Sequence, residues 1–148
     1  VAHGAGHFPL VHWAIHGLVR CGREPPEGRV RHATGTLQGD TVELAALHAV
    51  GAPRGWVGVP VSGHKGGVGH LMHASSAPGV AAALGYLRTG TAPGTPGLRA
   101  PEAAARSLAL LTSPRAQPDA PRSALVNSFG FAGNNSSLVL TAPDGSPR

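Results

Sequence analysis

Residues 56–71 read Trp56-Val-Gly-Val-Pro-Val-Ser62-Gly-His-Lys65-Gly-Gly-Val-Gly-His70-Leu71. The opening run, through Ser62, is short, apolar and bounded by turn-forming residues, the pattern of a strand buried on both faces. The remainder, from Gly63 on, is polar and glycine-rich, and it carries the only lysine of the chain. Glycine beside a potentially reactive side chain lets backbone or ligand approach closely. Downstream, the small apolar residues 71–87 predict a helix that breaks or kinks at Pro78-Gly79. Upstream, Asp40 with Glu43 three residues on resembles a capping box, with Asp in the Ser/Thr position. It would open an Ala- and Leu-rich helix running to about Ala49, broken by residues 51–55. Helix, buried strand and helix in that order point to a layered α/β domain.

Further out, Val30 leads into His32-Ala-Thr-Gly-Thr36, which reads as a strand end running into a loop. Residues 23–29 read as a surface connection. Between residues 8 and 19, Val11, Ile15, Leu18 and Val19 share one helical face, with Gly22 as a stop. Toward the C-terminus, residues 89–97 and 114–122 have the Gly, Pro and Thr density of loops, and the Ala run between them suits a helix or, near residues 108–111, a strand. Residues 124–128 and 136–141 read as two strands around the glycine turn Phe129-Gly-Phe131-Ala-Gly-Asn-Asn135, a hairpin.

Composition narrows the function classes. The chain has 148 residues, the length of one average domain, with 41% hydrophobic but only 4% aromatic residues. Burial therefore falls to small and aliphatic side chains, which suits layered α/β packing better than a small free-standing barrel. The net charge of +5 comes almost wholly from arginine, spread through loops without a basic cluster or a zinc-finger spacing, so no nucleic-acid partner is expected. No run approaches the 18 apolar residues of a membrane span. Cys21 is the single cysteine, which excludes an internal disulfide and a CxxC motif. His12 and His16 have i, i+4 spacing but no Glu between them and no evident third ligand, so no metal site is expected. His3, His7, His48 and His73 are read as ordinary surface or core histidines. Lys65 is followed by Gly66, which breaks the phosphate-loop pattern.

Three polar islands in order carry a stronger signal. They are His32-Ala-Thr-Gly-Thr-Leu-Gln-Gly-Asp40-Thr-Val-Glu43, Val61-Ser-Gly-His-Lys65-Gly-Gly-Val-Gly-His70-Leu71 and Asn127-Ser-Phe-Gly-Phe131-Ala-Gly-Asn-Asn135. Together they resemble the C-terminal half of the β-ketoacyl-acyl-carrier-protein synthases, the condensing enzymes of fatty-acid and polyketide synthesis, over residues 8–140. The resemblance implies a thiolase-like α-β-α fold, C-terminal half only, with a five-stranded mixed sheet between helices. All 148 residues would then form one partial domain. The nucleophilic cysteine of that family belongs to the first half, and Cys21, in a Cys-Gly-Arg setting, does not match it.

The same resemblance implies roles. His32 and His70 would stabilise the enolate formed when a malonyl thioester loses CO2, Lys65 would organise them, and the Phe131 backbone N–H would serve an oxyanion hole. Thr34 and Thr36 would hold the pantetheine arm, and Phe129 would border the acyl pocket or simply pack. Asp40 and Glu43 would be structural, and Asn127 and Asn135 would brace the hairpin turn. No cofactor is implied beyond the phosphopantetheine of an acyl carrier protein, the expected partner alongside a second ketosynthase subunit in a homodimer or heterodimer. The expected compartment is the cytoplasm, or the mitochondrial matrix in a eukaryote.

Departures from the family pattern bear on activity. Gly79 stands where a Glu is usual, which removes a charge from the lysine network, Val68 replaces a Thr, and His73-Ala-Ser-Ser76 replaces a Gly-Ala-Ala-Gly run. The leading expectation is a 3-oxoacyl synthase portion, inactive by itself for want of the cysteine. The alternative is a non-catalytic partner subunit of the chain-length-factor kind.

Overall fold

The computed structural model describes residues 27–101, 108–130 and 134–143. The expected helix over residues 8–19, Cys21 and Phe131 lie outside the described residues.

Five strands form one mixed sheet: β1 (Gly28–Arg31), β2 (Pro60–Gly63), β4 (Ala109–Leu110), β6 (Ser123–Phe129) and β7 (Asn135–Thr141), in the order β4-β2-β1-β6-β7. β1 lies parallel to both β2 and β6, β2 is parallel to β4, and β6 and β7 are antiparallel. A second, two-stranded ladder joins β3 (Thr91–Ala92) to β5 (Arg115–Ala116). Helices α1 (Leu37–Gly51), α2 (Lys65–Val68) and α3 (Ala77–Thr89) complete the regular structure.

Burial explains this arrangement. Every residue of β2 is buried, as an interior parallel strand covered on both faces requires, and Pro60 is its first residue, where a missing N–H is tolerated. In β6, Leu125 and Phe129 join a core cluster with Leu44, Leu47 and Val50 of α1, while Ala124 and Val126 join another with Ala83 and Tyr86 of α3. Alternate residues of one strand thus face opposite helices, the period-two signature of a sheet between two helical layers. Leu44 and Leu47 are fully buried, and burial of each contributes about 1.5–3 kcal/mol. α3 approaches β1 so closely that a Cβ at Gly28 would overlap the Tyr86 ring.

The five-stranded mixed sheet, the helix after His32 and the hairpin match the expectations from sequence. The start of α1 does not. Its N-cap is Thr36, whose Oγ1 accepts from the Gly39 N–H at 3.3 Å, so Asp40 lies inside the first turn and Glu43 points into the core. The expected strand over residues 56–62 shortens to Pro60–Gly63, with Val57 exposed. The glycine-rich turn contains the four-residue helix α2. The single kinked helix over residues 71–87 is instead a 3-10 turn, Met72–Ala74, followed by α3, with Pro78 in its first turn, where proline costs no hydrogen bond. The loops 89–97 and 114–122 contribute the two short strands β3 and β5.

Candidate active site

His32 comes directly after the last residue of β1, and its place is fixed from below by a buried carboxylate. Glu43 reaches up from α1 and accepts the backbone N–H of His32 at 2.9 Å and of Ala33 at 3.1 Å. It also accepts from the Asn127 side-chain amide at 3.2 Å and lies 3.6 Å from the Arg31 guanidinium. Arg31 pairs with Asp40 at 3.3 Å, and Asp40 accepts the Gly35 N–H at 3.2 Å. Glu43 is 1% exposed and Arg31 3%. Buried charges on that scale persist only when paired and hydrogen-bonded. The network turns the chain sharply: Ala33 has φ of 38°, a left-handed conformation that a non-glycine residue adopts only when its surroundings impose it.

The His32 ring is equally constrained. Its Nδ1 accepts the Phe129 backbone N–H at 3.2 Å and lies 3.4 Å from Lys65 Nζ, which also donates to the His32 carbonyl. A main-chain N–H can only donate, so Nδ1 is the bare nitrogen and the ring proton sits on Nε2. Lys65 is buried at the start of α2. Burial pulls its pKa below the ordinary 10.5, against the opposing pull of Glu43 and then Asp40. Two cations, Arg31 and Lys65, thus share a region with two carboxylates.

His70 stands at the exposed end of the loop after α2. Its Nδ1 accepts the Met72 N–H at 3.0 Å, which by the same reasoning puts its proton on Nε2. Met72 has φ of 48°; it and Ala33 are the only positive-φ non-glycine residues among those described. Each lies within two residues of one of the two histidines. The rings are 5.9 Å apart between centroids and nearly perpendicular, at 87°.

Both rings line one cleft of about 880 Å3, which Thr34, Thr36, Phe129 and Asn135 also border. The Thr34 and Thr36 hydroxyls lie 3.1 Å apart, and Thr36 is shared with the cap of α1. The Phe129 ring packs 5.5 Å from His32 while belonging to the α1-side core, so one residue serves both cleft and core. Asn127 does not brace a turn. It is buried within β6, where its carbonyl accepts from Ser137 Oγ on β7 at 2.9 Å and its amide donates to Glu43. Asn135 opens β7 opposite Phe129, with its Oδ1 buried and without a hydrogen-bond partner among the described residues.

Three residues, Arg31 in the network beneath His32 and two that line the cleft, carried no recognisable signal in the sequence. Arg31 looks like one more scattered arginine, and only its position beside His32 on a strand facing Asp40 and Glu43 could have signalled it. His73, expected to be an ordinary surface or core residue, lines the cleft, and Ser75 does so with a buried Oγ that has no partner among the described residues. Among the described residues no group of three or more His, Cys, Asp or Glu side chains could hold a metal ion. No described helix is long and apolar enough to cross a membrane.

Comparison with known proteins gives a consistent picture. Residues 30–99 match the family model for the β-ketoacyl synthase C-terminal domain. The mitochondrial 3-oxoacyl-[acyl-carrier-protein] synthase of Arabidopsis thaliana is 34% identical over 114 residues, covering 75% of this chain and 24% of that protein. An iterative polyketide synthase of Emericella nidulans is 32% identical over 119 residues, 76% of this chain and 4% of that one. The solved structure of the ketosynthase FabY from P. aeruginosa superposes with a TM-score of 0.80 at 27% identity, covering 91% of this chain and 22% of that chain. The chain therefore spans a quarter or less of the length of these relatives.

Proposed function

Because the chain belongs to the β-ketoacyl synthase C-terminal domain family, we propose that it supplies the decarboxylation half of a condensing site. The protein carrying it would make 3-oxoacyl thioesters from acyl and malonyl thioesters in fatty-acid or polyketide synthesis. The observation that carries this reading is the shared tautomer: each of His32 and His70 gives its Nδ1 to a backbone N–H and keeps its proton on Nε2.

The chemistry depends on that proton. When the C–C bond to the malonyl carboxylate breaks, CO2 leaves and the electron pair moves onto the thioester, whose oxygen becomes anionic. Two Nε2–H groups in the cleft stabilise that oxygen without giving up their protons, as preorganised donors do in an oxyanion hole. Lys65 holds the His32 ring through Nδ1 and the carbonyl and keeps a positive charge behind it. The enolate carbon then attacks the carbonyl of an acyl group held as a thioester on a cysteine; the tetrahedral intermediate collapses and the thiolate departs. Phe131, two residues after Phe129, would offer its backbone N–H to that second oxyanion. The cysteine is not among the described residues.

Thr34 and Thr36 suit the amides of a pantetheine arm, and no further cofactor is required. The +5 charge favours an acidic carrier protein as partner, and the exposed apolar residues Leu37, Leu71 and Met72, the last of which lines the cleft, suit contact with the rest of a ketosynthase and a second subunit. Chain-length factors have no chemical use for two preorganised Nε2–H donors, so the catalytic reading is preferred over a non-catalytic subunit. A soluble compartment, cytoplasm or mitochondrial matrix, suits this role.

The test uses the natural full-length protein. Wild type is expected to release CO2 from malonyl thioester and His70→Ala to do so about 10²–10³ times more slowly; an undiminished rate in the variant would remove His70 from the mechanism.

A further inference from the structure

His64 immediately precedes Lys65, yet it touches neither cleft histidine's Nδ1 and has no part in the decarboxylation chemistry. It caps the start of α2 without a side-chain capping bond. Its ring turns instead toward the far side of the His70 loop, where Nε2 lies 3.0 Å from the Ser75 carbonyl. A carbonyl only accepts, so Nε2 carries the proton and Nδ1 is bare. That Nδ1 is buried and has no hydrogen-bond partner among the described residues.

The ring occupies space made available by a glycine. A Cβ at position 79 on α3 would sit 3.2 Å from His64 Cε1, 3.4 Å from its Nδ1 and 3.1 Å from Val126 Cγ1 of β6. His64 thus sits against α3 and the loop, and a Cβ at 79 would require its ring or Val126 to give way by a few tenths of an ångström.

The loop needs such a fixture. Leu71 and Met72 are exposed, Met72 has a left-handed backbone, and the internal bonds of the loop are local ones, from Ala74 N–H to the Leu71 carbonyl and from Ser75 N–H to the Met72 carbonyl. Local turns of this kind fix the shape of a segment but not its place on the sheet. The His64–Ser75 bond joins residues 11 apart and spans the loop that carries His70.

We propose that His64 is a positioning residue: its ring, seated in the niche left by Gly79, ties the His70 loop to the Lys65 end of β2 and so sets the separation of the two cleft histidines. This role rests on the condensing-site reading. The ring acts as a neutral donor, in keeping with its pKa, which burial foremost and then the neighbouring Lys65 charge lower, against the Ser75 bond that raises it.

The experiment compares His64→Ala, His64→Gln and Gly79→Ala in the natural full-length protein. The Gln side-chain amide can donate where Nε2–H does. For malonyl-thioester decarboxylation, His64→Ala is expected to lower kcat about tenfold to a hundredfold, the cost of roughly an ångström of misplacement, with little change in KM. His64→Gln restores most of that rate, and Gly79→Ala, which crowds the ring, lowers it less than His64→Ala. A second readout needs no activity: amide exchange at Met72, whose N–H binds His70, speeds up in His64→Ala and returns toward wild type in His64→Gln, while Leu125 in β6 stays protected in all three. Unchanged kcat and unchanged Met72 exchange in a folded His64→Ala would overturn the proposal. So would an equal loss in the Ala and Gln variants. If wild type itself fails to decarboxylate, the condensing-site reading falls, and Met72 exchange alone decides whether His64 holds the loop. Should His64→Ala not fold, Gly79→Ala and His64→Gln carry the same comparison.

Discussion

The two histidines of the cleft have the same tautomer and reach it by opposite means. His32 stands on the sheet, with Glu43 beneath its backbone, Lys65 and Phe129 on its ring, and Arg31 and Asp40 closing the charge balance. His70 stands on an exposed loop whose contact to Nδ1 comes from the nearby backbone. Each has a residue in left-handed conformation within the next two positions, but the strain at Ala33 is held by a buried carboxylate and that at Met72 by a surface turn. One donor is built into the core and the other is carried to the cleft. The difference predicts that damage to the first arm appears in stability and activity together, and damage to the second in activity alone.

The sharpest way to break that asymmetry is Glu43→Ala. It leaves buried Arg31 with Asp40 as its one remaining carboxylate among the described residues and three N–H donors without their acceptor, and is expected to cost about 3–5 kcal/mol in urea denaturation. A loss below about 1 kcal/mol would mean that the core arm is not held as described. Next come the histidines. His32→Ala and His70→Ala should each slow decarboxylation by about 10²–10³, but only His32→Ala should also lower the melting temperature. Equal melting shifts would dissolve the distinction.

A smaller effect is expected from pH. His64 has a folded pKa below its unfolded 6.5, so between those values the unfolded state binds more protons and stability falls as pH drops. His64→Gln should flatten that slope below about pH 6.5, as seen in denaturation midpoints; an unaltered slope would mean that His64 is not buried as a neutral ring. Lys65 shifts downward as well, so by the same sign stability rises with pH on the alkaline side up to the unfolded 10.5, and Lys65→Met should remove that rise. The smallest effect is Thr36→Ala, about 1 kcal/mol for a lost N-cap, which would sharpen the contrast by leaving both rings in place.

Much of this was legible in the sequence. The strand at Val30, the helix after Asp40 and the hairpin around Phe129 come from local pattern, since alternation in β6 and the spacing of Leu44, Leu47 and Val50 are dictated by what each face covers. The three polar islands named His32, Lys65 and His70 together, and the fold brings all three to one place. What could not be read is the part that depends on distant partners. Glu43 has the spacing of a capping-box residue, and only the fold shows its carboxylate turned inward to β1 and β6, with Thr36 taking the cap. Asn127 sits beside a turn in sequence but in mid-strand in space. His64, a residue of no evident purpose beside Lys65, acquires one through Ser75 and Gly79, 11 and 15 positions away in the chain.

The account stands on two imidazoles that both donate from Nε2. Long-range 1H–15N correlation spectra of the imidazole groups in the natural full-length protein at neutral pH measure this directly. The prediction is that His32 and His70 each appear as the Nε2–H tautomer, with Nδ1 unprotonated and hydrogen-bonded; an Nδ1–H tautomer or a doubly protonated ring at either position would contradict it.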